Sequence, residues 1–405
     1  MSAPSRQIAV AGAGIAGLAA ALSFARRGFS VRIFERAGRL EEVGAGIQLS
    51  ANATRILARL GLLEAVEQTA VKPRSVELRR AGSGRVIASV PLGEAATRRW
   101  GAPYLTVHRA DLHNVLAGAA LAHPAIALET GASVRGATFG PGGGVSLTVE
   151  RDGATGTVAC DLAVGADGVR SALRGTGSLA RPERFSGYVA WRATAAPHAC
   201  GDLVPADRVS AFLHPRFHLV AYPLRRGEIV NLVAIGRMPA PSGGMAGDAG
   251  AGAARGMLPP AVISGATDEI DALAAGLDTW LPWPINEVDA DAPWVEPAGL
   301  ALIGDAAHAM GPYAAQGAVM AIEDAAALAA AVAARPHDLA GALRGYEATR
   351  RERVRQVARR GAFNRLVWHA SGPVALGRDA VLALRRPESL AADLDWLYGY
   401  DAEAV

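Results

Sequence analysis

Only two cysteines, Cys160 and Cys200, occur in 405 residues. Two thiols cannot staple a chain of this length, so the sequence reads as a reduced cytoplasmic protein rather than a disulfide scaffold. Aromatic residues are scarce, at 5%, too few for the stacking platforms that hold single-stranded nucleic acid. One-sided charge is missing as well. Lys and Arg number 41 against 38 Asp and Glu, a net +3, and no block of like charge exceeds a few residues. Nucleic acid is therefore not expected as a partner. Residues 8–25 are apolar, but glycines at fixed spacing and an acid-ended strand behind them argue against an export signal. No later segment has the ~20 uninterrupted apolar residues of a membrane span, so no integral membrane segment is expected. The sequence also holds no His/Cys cluster at metal-ligand spacing, and no metal site is expected.

What the chain does have is apolar bulk and a set of glycine-acid motifs. It is 51% hydrophobic, enough for two domains or one large interrupted one. The apolar run 7–11 leads into Gly12-Ala13-Gly14-Ile15-Ala16-Gly17, a helix over 18–27, and a strand over 29–34 that ends at Glu35. The first glycine suits a tight turn, the second a close approach to a pyrophosphate, and the third close helix–strand packing. Glu35 follows by roughly 20 residues, where a ribose-binding acid belongs. This unit predicts a dinucleotide but does not choose between NAD and FAD.

Three further motifs bear on that choice. Arg109 falls in the first turn of a helix opened by His108, against the helix dipole. Spacing alone leaves open whether it is solvated or contacts phosphate. The stretch Gly165-Ala166-Asp167-Gly168-Val169-Arg170-Ser171 ends an apolar strand and is expected to lead into a helix. The apolar residues 300–303 then end at Gly304-Asp305, followed by a small-residue loop and a long Ala-rich helix over 317–334. Two strand-ending acids thus flank one Rossmann unit, an arrangement for which a dehydrogenase has no use.

These motifs, in this order and at these distances, resemble the single-component flavoprotein aromatic monooxygenases, the class of p-hydroxybenzoate and salicylate hydroxylases. The likeness runs from residue 8 to about 363. It implies an α/β fold: a Rossmann-like FAD-binding domain (1–72, 102–182 and 287–372), an inserted, mostly antiparallel β-sheet substrate domain (73–101 and 183–286), and a C-terminal helical tail (373–405). It implies FAD, bound non-covalently in an extended form along Gly12, Gly14, Ile15, Ala16 and Gly17. Glu35 would hold the adenosine ribose, with Arg36 also on the cofactor, and Val134 would meet the adenine. Arg109 would lie near the pyrophosphate and ribityl chain, and Asp305 on the ribityl hydroxyls. Asp167 would serve both FAD and a transient nicotinamide. Ile47 and Gln48, in the loop 44–48, would brush the flavin, and Gly317-Ala318 would receive its negative charge. With no second nucleotide fold, NADH or NADPH would visit the same cleft. The implied reaction is hydroxylation of a small electron-rich aromatic by O₂ through a flavin hydroperoxide. Hydroxybenzoate, salicylate and hydroxynicotinate are the expected substrate types; a homodimer is implied by the family only.

The substrate side follows from period 2. Apolar runs at 188–193, 209–213, 218–224 and 229–235 are separated by turns, and the turn 225–228 joins the last two. Alternation puts His218 and Tyr222 on one face of their strand. From the residues alone, a satisfied structural pair and a phenol-binding pair are both open. The spacing is similar to that of 3-hydroxybenzoate 6-hydroxylase and 6-hydroxynicotinate 3-monooxygenase, which implies an active-site role; Pro312 and Tyr313 match another substrate-facing position there. His218, at an ordinary pKa of ~6.5, is the expected base. Arg192 could bind a carboxylate or be structural. Residues 243–256 read as a Gly/Ala-rich loop, and the arginines of 347–360 as the solvated face of an amphipathic helix. Three rivals stand: a same-fold epoxidase or reductase of isoprenoids, an NAD-dependent dehydrogenase, and a flavin-binding relative without activity.

Overall fold

In the computed structural model, residues 6–40, 46–140, 143–239, 256–289 and 291–404 are described. Gly44, Ala45 and most of the expected loop 243–256 lie outside them. The strand Gln7–Ala11 is buried from Ile8 onward, as a strand covered on both faces must be. It pairs in parallel with Ser30–Glu35 on one side and Leu162–Gly165 on the other, and Leu162–Gly165 pairs in parallel with Leu300–Leu302. The sheet has six strands; Ile126–Thr130 and Val295–Glu296 form its two edges. Parallel pairing puts the carboxyl ends of the three central strands side by side. Gly12, the Asp167 turn and Asp305, distant in sequence, therefore share one edge.

The helix Ile15–Ala25 begins directly after Gly14, three residues earlier than expected, because Gly14 is already extended and serves as the N-cap. The helix expected after Asp167 is absent. In its place stand the 3₁₀ turns Leu173–Gly175 and Gly177–Leu179, since Asp167 Oδ2 accepts from the N–H groups of Ala172 (2.7 Å) and Leu173 (3.3 Å) and winds the turn tightly.

A second sheet has seven strands, in the order Leu281–Glu287, Arg184–Ala195, Ile229–Arg237, Phe217–Leu224, Arg208–Leu213, Ser75–Arg80, Val86–Pro91. Its neighbours are antiparallel except Arg208–Leu213 with Ser75–Arg80. The alternation holds. Phe217, Leu219 and Ala221 pack outward into a core with Leu232, Ala234, Ile270 and Trp280, while His218, Val220 and Tyr222 face a cavity shared with the first sheet. The fold is α/β with an antiparallel-rich second sheet and C-terminal helices, as expected.

Two long helices close the structure, Gly317–Ala334 and Leu339–Trp368. By length and composition the first could cross a bilayer, yet 67% of it is buried inside the protein. It carries Glu323 and Asp324, both fully buried. Arg350 Nη1 lies 2.6 Å from Glu323 Oε2 and its Nε 2.8 Å from Asp324 Oδ1, while Arg353 Nη2 is 3.0 Å from Glu323 Oε1. This corrects the expectation of a solvated arginine face: Arg350 and Arg353 point inward beside Val354 and Val357. Burial works against the Asp324 carboxylate, but His308 and Arg350 hold its pKa below the usual range. Arg350→Ala would remove the one cation shared by both buried acids and leave Glu323 to Arg353 and Asp324 to His308 alone, so a stability loss of about 3–5 kcal/mol is expected in urea unfolding. A loss under ~1 kcal/mol would show that the network is not needed for folding.

Candidate active site

The glycine loop is fixed by steric limits. Gly12 has φ +99°, and a Cβ there would sit 2.6 Å from the Ala166 carbonyl oxygen; a Cβ on Gly17 would sit 1.9 Å from that of Gly12. Glu35 laces the loop to the strand end, because its Oε2 accepts from Ala13 N–H at 2.7 Å and its Oε1 from Ala37 N–H at 2.9 Å. Gly131 N–H donates to Ala37 O at 3.0 Å, which brings the strand Ala132–Phe139, and with it Val134, to the same edge. Arg36 is exposed beside Glu35.

A cavity of about 510 Å³ opens beyond this edge. Gly14, Ile15, Ala16, Arg109, Asp305, Gly317 and Ala318 line one side of it. Gly12, Gly17, Glu35, Arg36, Val134 and Asp167 do not; they shape or extend the edge. Asp305 is exposed in the first turn of the helix Asp305–His308. That turn is gripped from behind by Asp324 Oδ2, which accepts from Gly304 N–H at 2.9 Å and lies 2.6 Å from His308 Nε2. Asp167 Oδ1 is buried with no partner among the described residues, and burial raises its pKa despite hydrogen bonds from Ser171 and backbone N–H groups. A glycine cradle, an exposed acid, a cation and an orphaned buried acceptor along one edge fit an extended dinucleotide.

Midway, Gly46, Ile47 and Gln48 pass under the second sheet. Gly46 N–H donates to Asn231 Oδ1 at 2.6 Å, and a Cβ on Gly46 would meet Tyr222 Cε2 at 2.5 Å. Gln48 Oε1 accepts from Tyr104 O–H at 2.6 Å. Pro312 and Tyr313 border the cavity, and the loop ends at Ala315 with φ +52°, a left-handed conformation that alanine rarely adopts.

The opposite wall is the sheet face. Register aligns Arg192, Val233, Val220 and Ala211 across four strands, with Tyr222 and His218 one step to either side of Val220 along their strand. The Arg192 guanidinium lies 4.8 Å over the Trp283 ring, and its Nε is buried without a partner among the described residues. Burial and the charge of Arg109 pull its pKa down to about 10, which leaves it cationic at neutral pH. Burial raises the pKa of Tyr222, and Arg192 partly offsets this. Tyr313 packs edge-on against Tyr188 at 6.0 Å, and burial raises its pKa too. Further out the cavity turns apolar, lined by Leu78, Val90, Leu382 and Leu394.

His218 departs most from expectation. It is 1% exposed, and its Nδ1 lies 3.0 Å from His369 Nε2. Burial and His369 push its pKa down to about 3, not the ordinary 6.5. Sequence reading missed His369, which lies 151 residues away with no local signal. It also missed Tyr104 and Asn231. The latter had a signal, since Asn231 is a lone amide in the apolar strand Ile229–Arg237, in phase with Val233 and Ile235.

Comparison with known proteins matches these features to a family. The family model described as "FAD binding domain" matches residues 5–201 and 282–361. A 3-amino-4-hydroxybenzoate 2-monooxygenase of Streptomyces cremeus is 36% identical over 98% of this chain and 95% of its own length. A 3-hydroxybenzoate 6-hydroxylase of Polaromonas naphthalenivorans is 31% identical, over 97% of this chain and 96% of its own. The structure of a salicylate hydroxylase with its substrate superposes with a TM-score of 0.80 at 24% identity, covering 99% of this chain and 97% of that one, a likeness of fold. This chain thus belongs to the FAD-binding-domain family, among the flavoprotein aromatic monooxygenases.

Proposed function

We propose that this enzyme hydroxylates a small aromatic acid with a ring hydroxyl, at the expense of O₂ and NADH or NADPH. One observation carries the reading. A single cavity has dinucleotide-binding features along one wall and, facing them, a sheet with a buried cation, Arg192, and a His/Tyr pair. The relatives' names supply the substrate class: hydroxylated benzoates for those compared above, and 6-hydroxynicotinate for a third, from Pseudomonas fluorescens.

FAD, when bound, supplies electron transfer from the nicotinamide and activation of O₂. The chain's own residues do the rest. Gly12, Gly14, Ile15, Ala16 and Gly17 would hold the pyrophosphate, and Glu35, Arg36 and Val134 the adenosine end. Arg109 and Asp305 would hold the ribityl region, and Asp167 would take part on the nicotinamide side. The N–H groups of Gly317 and Ala318, at the amino end of their helix, would stabilise negative charge on the bound cofactor, and Ile47 and Gln48 line the same cavity. The loop Met310, Pro312, Tyr313 and Ala314 excludes water. Neutral His218 accepts the phenolic proton, Tyr222 orients the ring, and Pro312 and Tyr313 border it. Raising the electron density of the ring is what that proton removal achieves. An isoprenoid epoxidase has no use for such a pair. The buried free thiols Cys160 and Cys200 suit a cytoplasmic enzyme.

Three outcomes test this. The pure protein should be yellow, and 3-amino-4-hydroxybenzoate, 3-hydroxybenzoate, salicylate or 6-hydroxynicotinate should stimulate its NADH or NADPH oxidation with hydroxylated product; stimulation by none of them overturns the reading. Asp305→Ala should weaken FAD binding by roughly 10–100-fold in fluorescence titration of apoprotein, the loss of hydrogen bonds to a charged group; unchanged affinity would remove Asp305 from the cofactor site. The pH profile gives the third. A base works in its neutral form, and His218 stays neutral down to about pH 3. Single-turnover hydroxylation should therefore show no inflection between pH 5.5 and 7 that depends on His218. Such an inflection, abolished in His218→Gln, would mean that its pKa is near the ordinary value of ~6.5.

A further inference from the structure

We infer that His369 is the outlet for the proton that His218 removes, so that the two imidazoles act as one relay from the cavity to solvent. The inference rests on the reading of His218 as the base. His218 reaches the cavity from the strand Phe217–Leu224, and its Nδ1 is committed to His369 Nε2 at 3.0 Å, leaving Nε2 for a ligand. His369 caps the far end of the helix Leu339–Trp368 and is only half-buried. The pair is boxed in by rings. His218 lies 5.1 Å from Trp368 and 5.6 Å from Tyr313, and Tyr188 stacks on His369 at 6.2 Å. These aromatic walls leave the neighbouring imidazole as the polar continuation from His218.

Burial makes the handover necessary. A lone His218 would have to hold the proton as imidazolium, the form that desolvation and its neighbour disfavour. His369 is disfavoured as a cation in the same way, pushed down to about 4 by burial, by the charge of Arg365 and by His214. Neither ring can store a proton, but both can pass one. The phenolic O–H breaks as an N–H forms at His218 Nε2. The His218 Nδ1–H passes to His369 Nε2, and the His369 Nδ1–H leaves to water. One proton enters and one departs; the negative charge stays on the phenolate, and both rings end neutral in the opposite tautomer. The hydrogen bond between the rings couples their tautomers: while His218 Nδ1 donates, His369 Nε2 accepts, and after the transfer the two roles are exchanged.

The test uses anaerobic holoenzyme without NADH, mixed with 3-amino-4-hydroxybenzoate in weak buffer. Phenolate absorbance and a pH indicator then follow proton removal and proton exit directly. His369→Gln keeps a hydrogen-bonding group at the Nε2 position but cannot relay. It should bind the acid with unchanged Kd while both signals slow by about 10-fold or more, approaching the ~10²-fold loss expected of His218→Gln. His369→Ala should slow likewise and recover with free imidazole, a rescue that no packing role predicts. If both His369 variants match the parent while His218→Gln is slow, the relay is wrong and the base stands. If His218→Gln also matches the parent, the base assignment itself is wrong and the relay falls with it.

Discussion

Two fully buried carboxylates on one alanine-rich helix decide where the cofactor wall stands. Asp324 accepts from Gly304 N–H and pairs with His308, the two ends of the turn that presents Asp305. Glu323 accepts from Asn52 Nδ2 at 2.5 Å, and Asn52 and Ser50 in turn contact Gln316, the residue before Gly317. One ionic knot therefore fixes both the exposed acid and the helix amino end that lines the same cavity. Arg350 and Arg353 neutralise it from the next helix, and Tyr400 lies 4.2 Å from the Arg353 guanidinium. A buried pair of like charges is tolerable only under such compensation. The C-terminal helices are thus part of the active-site scaffold.

Features set by local rules were legible in the sequence. Gly12 and Gly17 announce themselves because the fold allows no Cβ there. Asp167 and Asp305 stood out as acids ending apolar strands, and parallel pairing accounts for their meeting. The face shared by His218 and Tyr222 followed from alternation alone. What was hidden depended on tertiary partners. Arg350 and Arg353 looked solvated because their acids lie on another helix, and nothing in helical periodicity reveals, for Arg350, a counter-charge 26 or 27 residues upstream. The ordinary pKa assumed for His218 failed for a related reason. Burial and a second imidazole, both products of packing, set its charge. The helix expected after Asp167 yielded to the side chain's own bonds to the turn that follows it, a local competition that the apolar pattern does not record.

The cavity's two walls are made of different materials. The wall that carries the glycine motifs is glycine and alanine packed at the limit of contact. A Cβ on Gly304 would already stand 3.0 Å from that of Ala321. The opposing side is a sheet whose outward residues, Phe217, Leu219 and Ala221, fill a separate core.

That separation gives the two walls unequal freedom to vary. Val209, Ala211, Val220, Val233 and Ile235 each present a side chain to the cavity, while their strand neighbours secure the sheet from the other side. A volume-conserving swap among aliphatic residues at these positions reshapes the substrate space while the core on the sheet's other face stays as it is. No such latitude exists around Gly12, Gly17 or Gly304. A lineage built on this plan can change the ring it hydroxylates by small steps on one sheet face, while the oxygen chemistry opposite stays the same.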